Sequence, residues 1–528
     1  MWPQPLNPLG SVLLSALAAG VPLAVLLILM GGLRRSGVFS AAWGLATAAL
    51  LAMLIWRMPL KLAALSAGFG FIFALWPIMW IVFTALWLYN LSVETGQFEL
   101  LRRWMAQHAS GDPCLQAILV AFCFGALLEG MAGFGAPVAV ASFLLMGLGF
   151  SARKAVTVSL IAKTAPVAFG SLGIPIVALA GVTGLDQMKL SAMVGRQLPF
   201  LSLLLPGYIV WVVAGKKGLK KSWPAALVGG ASFALAQFTV SNFWGPYAAD
   251  IIAALVSIAA LVTFLKVWKP AGANHLAASA PPEGLSSREV LAAWAPWVIL
   301  AVVMIGWTYL KLFHWGQISI PIRGLHNAIF ISLYQKPYAA IFNFQPLAAG
   351  TAALTATLLT AAAFRVPIRA FINAGRKTLL QLRKPGLTVG LIVALAYLYN
   401  YSGMAYTLGA ALAGLGGLFP LVSGFLGWIA CFLSGSDTAS NLLFGNLQVA
   451  AAHQIGVNPV LLAATNSSGA VTGKMISPQN VAVGVTTVGL IGQEGDVVRS
   501  TFGHSIVLAS FLSLLAFAQA YWLKWMVP

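Results

Sequence analysis

The sequence predicts an all-α polytopic membrane protein: two inverted repeats, about twelve transmembrane helices and two re-entrant hairpin-like blocks, 12–14 spans in all. Three observations predict it. The 528-residue chain is 60% hydrophobic and only 8% charged, where soluble domains carry roughly 25% charged residues. Its mean hydropathy is +0.90, and apolar runs of about 20 residues, long enough to cross a bilayer, recur along it. Two longer apolar blocks broken by small residues fall at matching places in its halves. A soluble protein of this composition would need a core larger than one domain can build.

Taken in order, the start "MWPQPLNPLG" has no positive segment before the first apolar run, which therefore reads as a retained helix and not a cleaved signal. Candidate spans are 10–31, 37–56, 63–90, 155–180, 190–214, 223–240, 246–268, 291–311, 346–364, 386–401, 458–480 and 503–523. The blocks at about 114–149 and 419–451 are each two thin spans or one re-entrant hairpin. Residues 269–290, "KPAGANHLAASAPPEGLSSREV", are rich in Pro, Gly, Ala and Ser and read as a flexible cytoplasmic linker. The insertion 312–345, with His314, Trp315, His326, Tyr334 and Tyr338, reads as an extracytoplasmic loop lying at the interface, where aromatics are favoured. This divides the chain into a first repeat at 1–214, connecting helices and linker at 215–290, and a second repeat at 291–528.

The formal charge of +19 follows from Lys and Arg collecting in loops that stay cytoplasmic. With the N-terminus outside, 20 of the 30 Lys and Arg face inward and 7 outward, leaving Lys163, Arg196 and Lys474 within the membrane. Both termini are then extracytoplasmic. No basic, aromatic-rich soluble domain is present to bind nucleic acid. Cys114, Cys123 and Cys431 lie in apolar runs without metal-type spacing, so they read as small hydrophobes. The six histidines show no ligand clustering, and no cofactor is expected.

The repeat rests on three matches in one order: "WLYNLSVETG" (87–96) with "YLYNYSGMAY" (397–406), "LLEGMAGFG" (127–135) with "FLSGSDTAS" (432–440), and "AKTAPVAFGSLGIP" (162–175) with "TNSSGAVTGKMISP" (465–478). The offsets drift from 310 to 303. Seven crossings separate the two starts, and an odd number inverts the second half. Inverted repeats with discontinuous helices are the mark of secondary transporters, which hold substrate at the repeat interface.

Within lipid, irregular backbone survives only against protein or a water-filled cavity. "EGMAGFGAP" places Gly133 and Gly135 at such an irregular point, where exposed N–H groups of half-helix ends suit an anion; close helix packing is the plainer alternative. Glu129 is the only charge between Pro113 and Ala152. A buried carboxylate is costly unless paired or protonated, the property a proton-coupling site needs; pairing with Lys163 or capping a half-helix is the alternative. "SGSDTASN" (434–441) packs Ser436, Asp437, Thr438, Ser440 and Asn441 between apolar flanks. Asp437 is a second candidate proton carrier, and the hydroxyls and amides suit a carboxylate, a hydroxyl or a cation; an Asx-type cap is the alternative. Lys163 and Lys474, each beside Gly or Pro in an apolar segment, are candidate anion ligands, with Asn466 and Ser467 as further polar lining. Arg196 ranks lower because it can snorkel to the interface. Tyr89, Asn90, Tyr399 and Asn400 suit belt anchoring as well as they suit substrate. "GAVTGKM" lacks the spacing of a phosphate-binding loop, which leaves an ion gradient as the energy source.

At "LLEGMAGFGAPVAV" (127–140), "FLSGSDTASNLLFGNLQ" (432–448) and "TNSSGAVTGKMISPQNVAVG" (465–484) the chain resembles the lactate permease family, glycolate permeases included, over nearly its whole length. The family pattern often has Ile and Thr where this chain has Met131 and Ala136. The resemblance implies a bacterial inner-membrane carrier that takes up L-lactate, D-lactate or glycolate with a proton. A sodium-coupled carrier of another small organic anion is the alternative. A membrane enzyme would need a clustered nucleophile and base, which the scattered histidines do not supply.

Overall fold

The computed structural model of the chain describes residues 1–108, 111–133, 135–268 and 284–528. Most of the expected linker, 269–283 with Lys269 and His275, lies outside them. Among the described residues ten helices are long and apolar enough to cross a membrane, and an eleventh is a bent pair, Ala152–Ala162 with Val167–Thr183, turning through 66°. The fold is all-α in its bulk, as expected.

Val12–Gly32, Gly37–Leu54, Leu60–Glu94, Ala249–Val267 and Ser287–Tyr309 match expected spans within a few residues. The expected pair 190–214 and 223–240 is joined in one helical run, Leu198–Phe243, interrupted at Gly215 with φ 63 and ψ −162, a conformation open essentially only to glycine. The chain doubles back there. The Ser202 hydroxyl donates to Gln237 Oε1 at 2.8 Å, whereas 35 residues of straight helix would part them by about 50 Å. The expected span 346–364 is a helix of only 15 residues, Ala349–Ala363, too short to cross alone. The expected 386–401 extends back to Ile368, and 503–523 back to Glu494. Two helices had no counterpart in the expectation: Gln97–His108 and Met404–Ala413.

Both long blocks are helical hairpins. The first pairs Pro113–Met131, wholly buried inside the protein, with Ala136–Gly147. The second pairs Phe419–Ser434 with Asp437–Ile455. A broken helix follows each: Ala152–Ala162 and Gly170–Thr183 after the first, Pro459–Gly473 and Pro478–Thr487 after the second. The expected continuous spans 155–180 and 458–480 are thus interrupted, at positions where the sequence carries Gly and Pro.

The hairpins enter from opposite faces. At the foot of the first, Asp112 pairs with Lys221 at 2.9 Å, beside the basic turn at 216–221. At the foot of the second, His453 packs on Tyr334 at 5.0 Å between ring centres. Tyr334 belongs to the 312–345 segment, which touches the other end of the 216–243 arm through Phe313 on Tyr247 at 4.8 Å. That segment is not simple loop. Ile318–Pro321 pairs antiparallel with Ile341–Phe344, and Trp2–Pro3 pairs parallel with Ile329–Phe330, so the N-terminus shares its face.

Candidate functional site

The four interruptions meet. Between them a cavity of about 690 Å³ is lined by Glu129, Gly133 and Gly135 from the first tip, Gly170 and Ser171 from the first broken helix, Ser434–Thr438 from the second tip, and Lys474, Gln479 and Asn480 from the second broken helix. Its far end reaches Ser36 and Lys384, both exposed.

Local sequence explains each break. Gly133 (φ 56), Gly135 (φ 87) and Gly435 (φ 71) turn the two tips through left-handed backbone, where a side chain is strained. A Cβ on Gly133 would also collide with the Ser171 hydroxyl. Ser436 and Ser477 cap the helices that restart after the second tip and the second break, accepting from Ala439 N and Asn480 N, and Pro478 sits at N1, where its missing N–H costs nothing. Helix N-termini therefore face the cavity and favour an anion there.

The central contact is an ion pair between the halves. Lys474 Nζ donates to Glu129 Oε1 at 2.5 Å, with the carboxylate side chain 1% exposed. The partner is Lys474, not the Lys163 that the sequence offered as an alternative. Glu129 Oε2 has no hydrogen-bond partner among the described residues. Gly170 makes room for this carboxyl: a Cβ there would stand 3.2 Å from Oε1. A charge pair this buried is held by each partner's need for the other, and removing one side costs about 3–5 kcal/mol.

Of the residues singled out in the sequence, the structure brings Glu129, Gly133, Gly135, Ser436, Asp437, Thr438 and Lys474 to the cavity wall. It places Lys163, Ser440, Asn441, Asn466 and Ser467 behind that wall. Lys163 Nζ donates to Asn480 Oδ1 at 2.5 Å, and the Asn480 amide donates to Gly435 O at the second tip. Asn441 donates to Ser467 Oγ and to Pro175 O. Asn466 donates to Asn441 Oδ1 and Ser440 Oγ. Ser467 donates to Asp437 Oδ2 at 2.9 Å, while Asp437 Oδ1 has no hydrogen-bond partner among the described residues. These residues brace the wall that the second tip presents. Arg196 binds Asn242 and Met526 O. Asn90 binds Thr378 and Asn400 binds Val182 O, so both asparagines tie helices together.

Three cavity residues escaped the sequence reading. Gln479 and Asn480 follow Pro478 directly, and Ser171 falls opposite Lys474 in the repeat offset of 303; that correspondence was the available signal. Asp250 escaped too. It is 1% exposed and accepts from the Gln237 amide at 3.1 Å.

The family model described as "L-lactate permease" matches residues 15–523. The chain is 44% identical to the glycolate permease GlcA of Escherichia coli K12, covering 98% of each chain. It is 41% identical to the L-lactate permease of the same organism and 41% identical to that of Bacillus subtilis, covering all of each chain in both cases.

Proposed function

The chain belongs to the L-lactate permease family, and from that premise we propose that it imports a small 2-hydroxymonocarboxylate, lactate or glycolate, together with a proton across the bacterial inner membrane. The observation that carries this reading is the Lys474–Glu129 pair at the cavity wall. One ammonium serves one carboxylate at a time. When a substrate carboxylate takes Lys474, Glu129 is left buried without a counter-charge, and a proton must bind it. The exchange balances: an anion and a proton enter the site, an intramolecular ion pair opens, and its reversal expels both. Coupling follows from the scarcity of buried positive charge.

Ser436, Thr438 and Ser171 stand within the same wall and supply hydroxyls to the substrate hydroxyl. The half-helix N-termini add positive potential near its carboxylate. Asp437, held on one oxygen by Ser467, is a second place for the proton. The two halves, 1–214 and 291–528, act as inverted repeats rocking about this site, a reading supported by hairpins that enter from opposite faces. The charge bias places both termini outside, and the protein acts by transport, not by chemistry on its substrate.

The test is uptake of labelled lactate into proteoliposomes. Accumulation is expected to rise as the outside is made more acidic than the inside and to be unchanged when choline replaces sodium. Uptake indifferent to the pH difference, or dependent on sodium, overturns the reading.

A further inference from the structure

Asp250 lies in the first turn of Ala249–Val267, off the cavity wall, and neither the ion pair nor the substrate contacts use it. It is 1% exposed. Its Oδ1 accepts from Gln237 Nε2 at 3.1 Å, and its Oδ2 has no hydrogen-bond partner among the described residues. Gln237 is itself fixed: its Oε1 accepts from Ser202, and its amide also donates to Ala165 O, a carbonyl exposed by the break in the first broken helix. Asp250 is thus aimed by a rigid amide and left with one free oxygen.

Its neighbour is the first hairpin, one residue beyond Glu129. A Cβ on Gly130 would stand 3.1 Å from the Asp250 Cβ and 3.2 Å from Ile251 N. That glycine lets the Asp250 helix lie against the Glu129 turn. Among the described residues, the groups around Asp250 are Glu129 on the first hairpin and the neutral Gln237 on the 216–243 arm. Cys123, on the hairpin, bonds Ser257 two turns away. Arg288 and Glu289 sit at the opposite end of their helix. Among the described residues, no ammonium or guanidinium forms an ion pair with Asp250. A carboxyl so enclosed and without a cation is at home as the neutral acid.

We propose that Asp250 is a second proton-carrying residue of the transport cycle, holding a proton at rest and passing it to Glu129 when substrate takes Lys474. The step breaks the O–H bond of the Asp250 acid and forms one on the Glu129 carboxylate. The Asp250 carboxylate that remains keeps the Gln237 amide as its donor and recovers a proton from water before the next turnover. This rests on the proton-coupled reading of the same site.

The experiment uses the full chain in proteoliposomes and compares two modes of labelled-lactate transport. Exchange against unlabelled internal lactate needs no net proton movement, whereas accumulation under an imposed pH difference does. Asp250→Asn preserves the Oδ1 acceptor for Gln237 and removes the exchangeable proton. The expected result is exchange within about twofold of wild type and accumulation reduced at least tenfold. Accumulation equal to wild type overturns the proposal. If both modes are lost, Asp250→Glu decides: recovered accumulation supports the proton role, and continued loss of both overturns it. Failure of the broader reading looks different, since wild type itself would then ignore the pH difference.

Discussion

At the residue scale the site is built from charges that the surrounding sequence makes expensive. Lys474→Ala removes the buried ammonium at the wall, and substrate affinity is expected to fall at least about 30-fold, the lower end of the cost of deleting one partner of a desolvated charge pair. Glu129→Gln should behave oppositely: exchange persists while accumulation loses its dependence on the pH difference. Measuring both modes for both variants checks this, and a Glu129→Gln carrier still driven by acid would remove that residue from the coupling. Gly133→Ala should abolish transport because its methyl would occupy the Ser171 hydroxyl position. Glu129, Asp437 and Lys474 were legible because a lone charge in an apolar run has few cheap explanations. Ser171 and Asn480 were not, since a small polar side chain in a membrane helix is ordinary. Asp250 satisfies the criterion that exposed Glu129, yet only the fold shows it abutting the same turn. Asn441 and Asn466 carried the right polarity, but sequence cannot tell a residue that faces a cavity from one that braces its wall.

At the scale of elements, Gly and Pro marked where helices break but not how the pieces fold back. The apolar block 114–149 left two thin spans or one hairpin open; it folds as a helical hairpin, and its tip lies where the glycines cluster. The basic turn 216–221 marked the end of one span and the start of the next, although a single glycine, Gly215, makes the reversal. Gly215→Ala should cost about 1–3 kcal/mol of stability, read as a lowered thermal midpoint in detergent. The foot of the first hairpin offers a pH test. Burial works against ionising Asp112, but the Lys221 ammonium and the Cys114 N–H outweigh it and hold the carboxyl below the usual carboxylate range. The resulting stability is present above the unfolded carboxylate value of about 3.9 and is lost as pH falls through the lower folded value. Asp112→Asn should therefore lower the thermal midpoint at pH 7, with the difference from wild type shrinking below about pH 4. The short helices Gln97–His108 and Met404–Ala413 were missed because neither is long and apolar enough to register as a span.

At the scale of the whole molecule, the cavity reaches the face bearing Ser36, Lys384 and the exposed Arg34 and Arg35. On the orientation proposed from the positive-inside bias, that face is the cytoplasmic one, and the proposal makes this arrangement inward-open. All three native cysteines are buried, which leaves a low background for thiol labelling. Ser436→Cys should react with an impermeant thiol reagent from the cytoplasmic side, and lactate should slow the reaction. Labelling only from the opposite side would reverse the assigned orientation. The all-helical class and the matched breaks were legible because hydropathy and glycine spacing are local signals. The convergence of the four breaks depends on packing between residues hundreds of positions apart, which no local signal carries.

The N-terminal strand has a consequence for how the protein is made. Trp2 and Pro3 pair with Ile329 and Phe330, and the Gln4 amide donates to the carbonyls of Asn400 and Tyr401. The Trp2–Gln4 segment thus waits for partners that lie up to 397 residues further along the chain. At 5–20 residues per second that delay is roughly 20–80 s. Closure of this sheet is a late event in biogenesis, and it certifies that both halves have been inserted and have found each other.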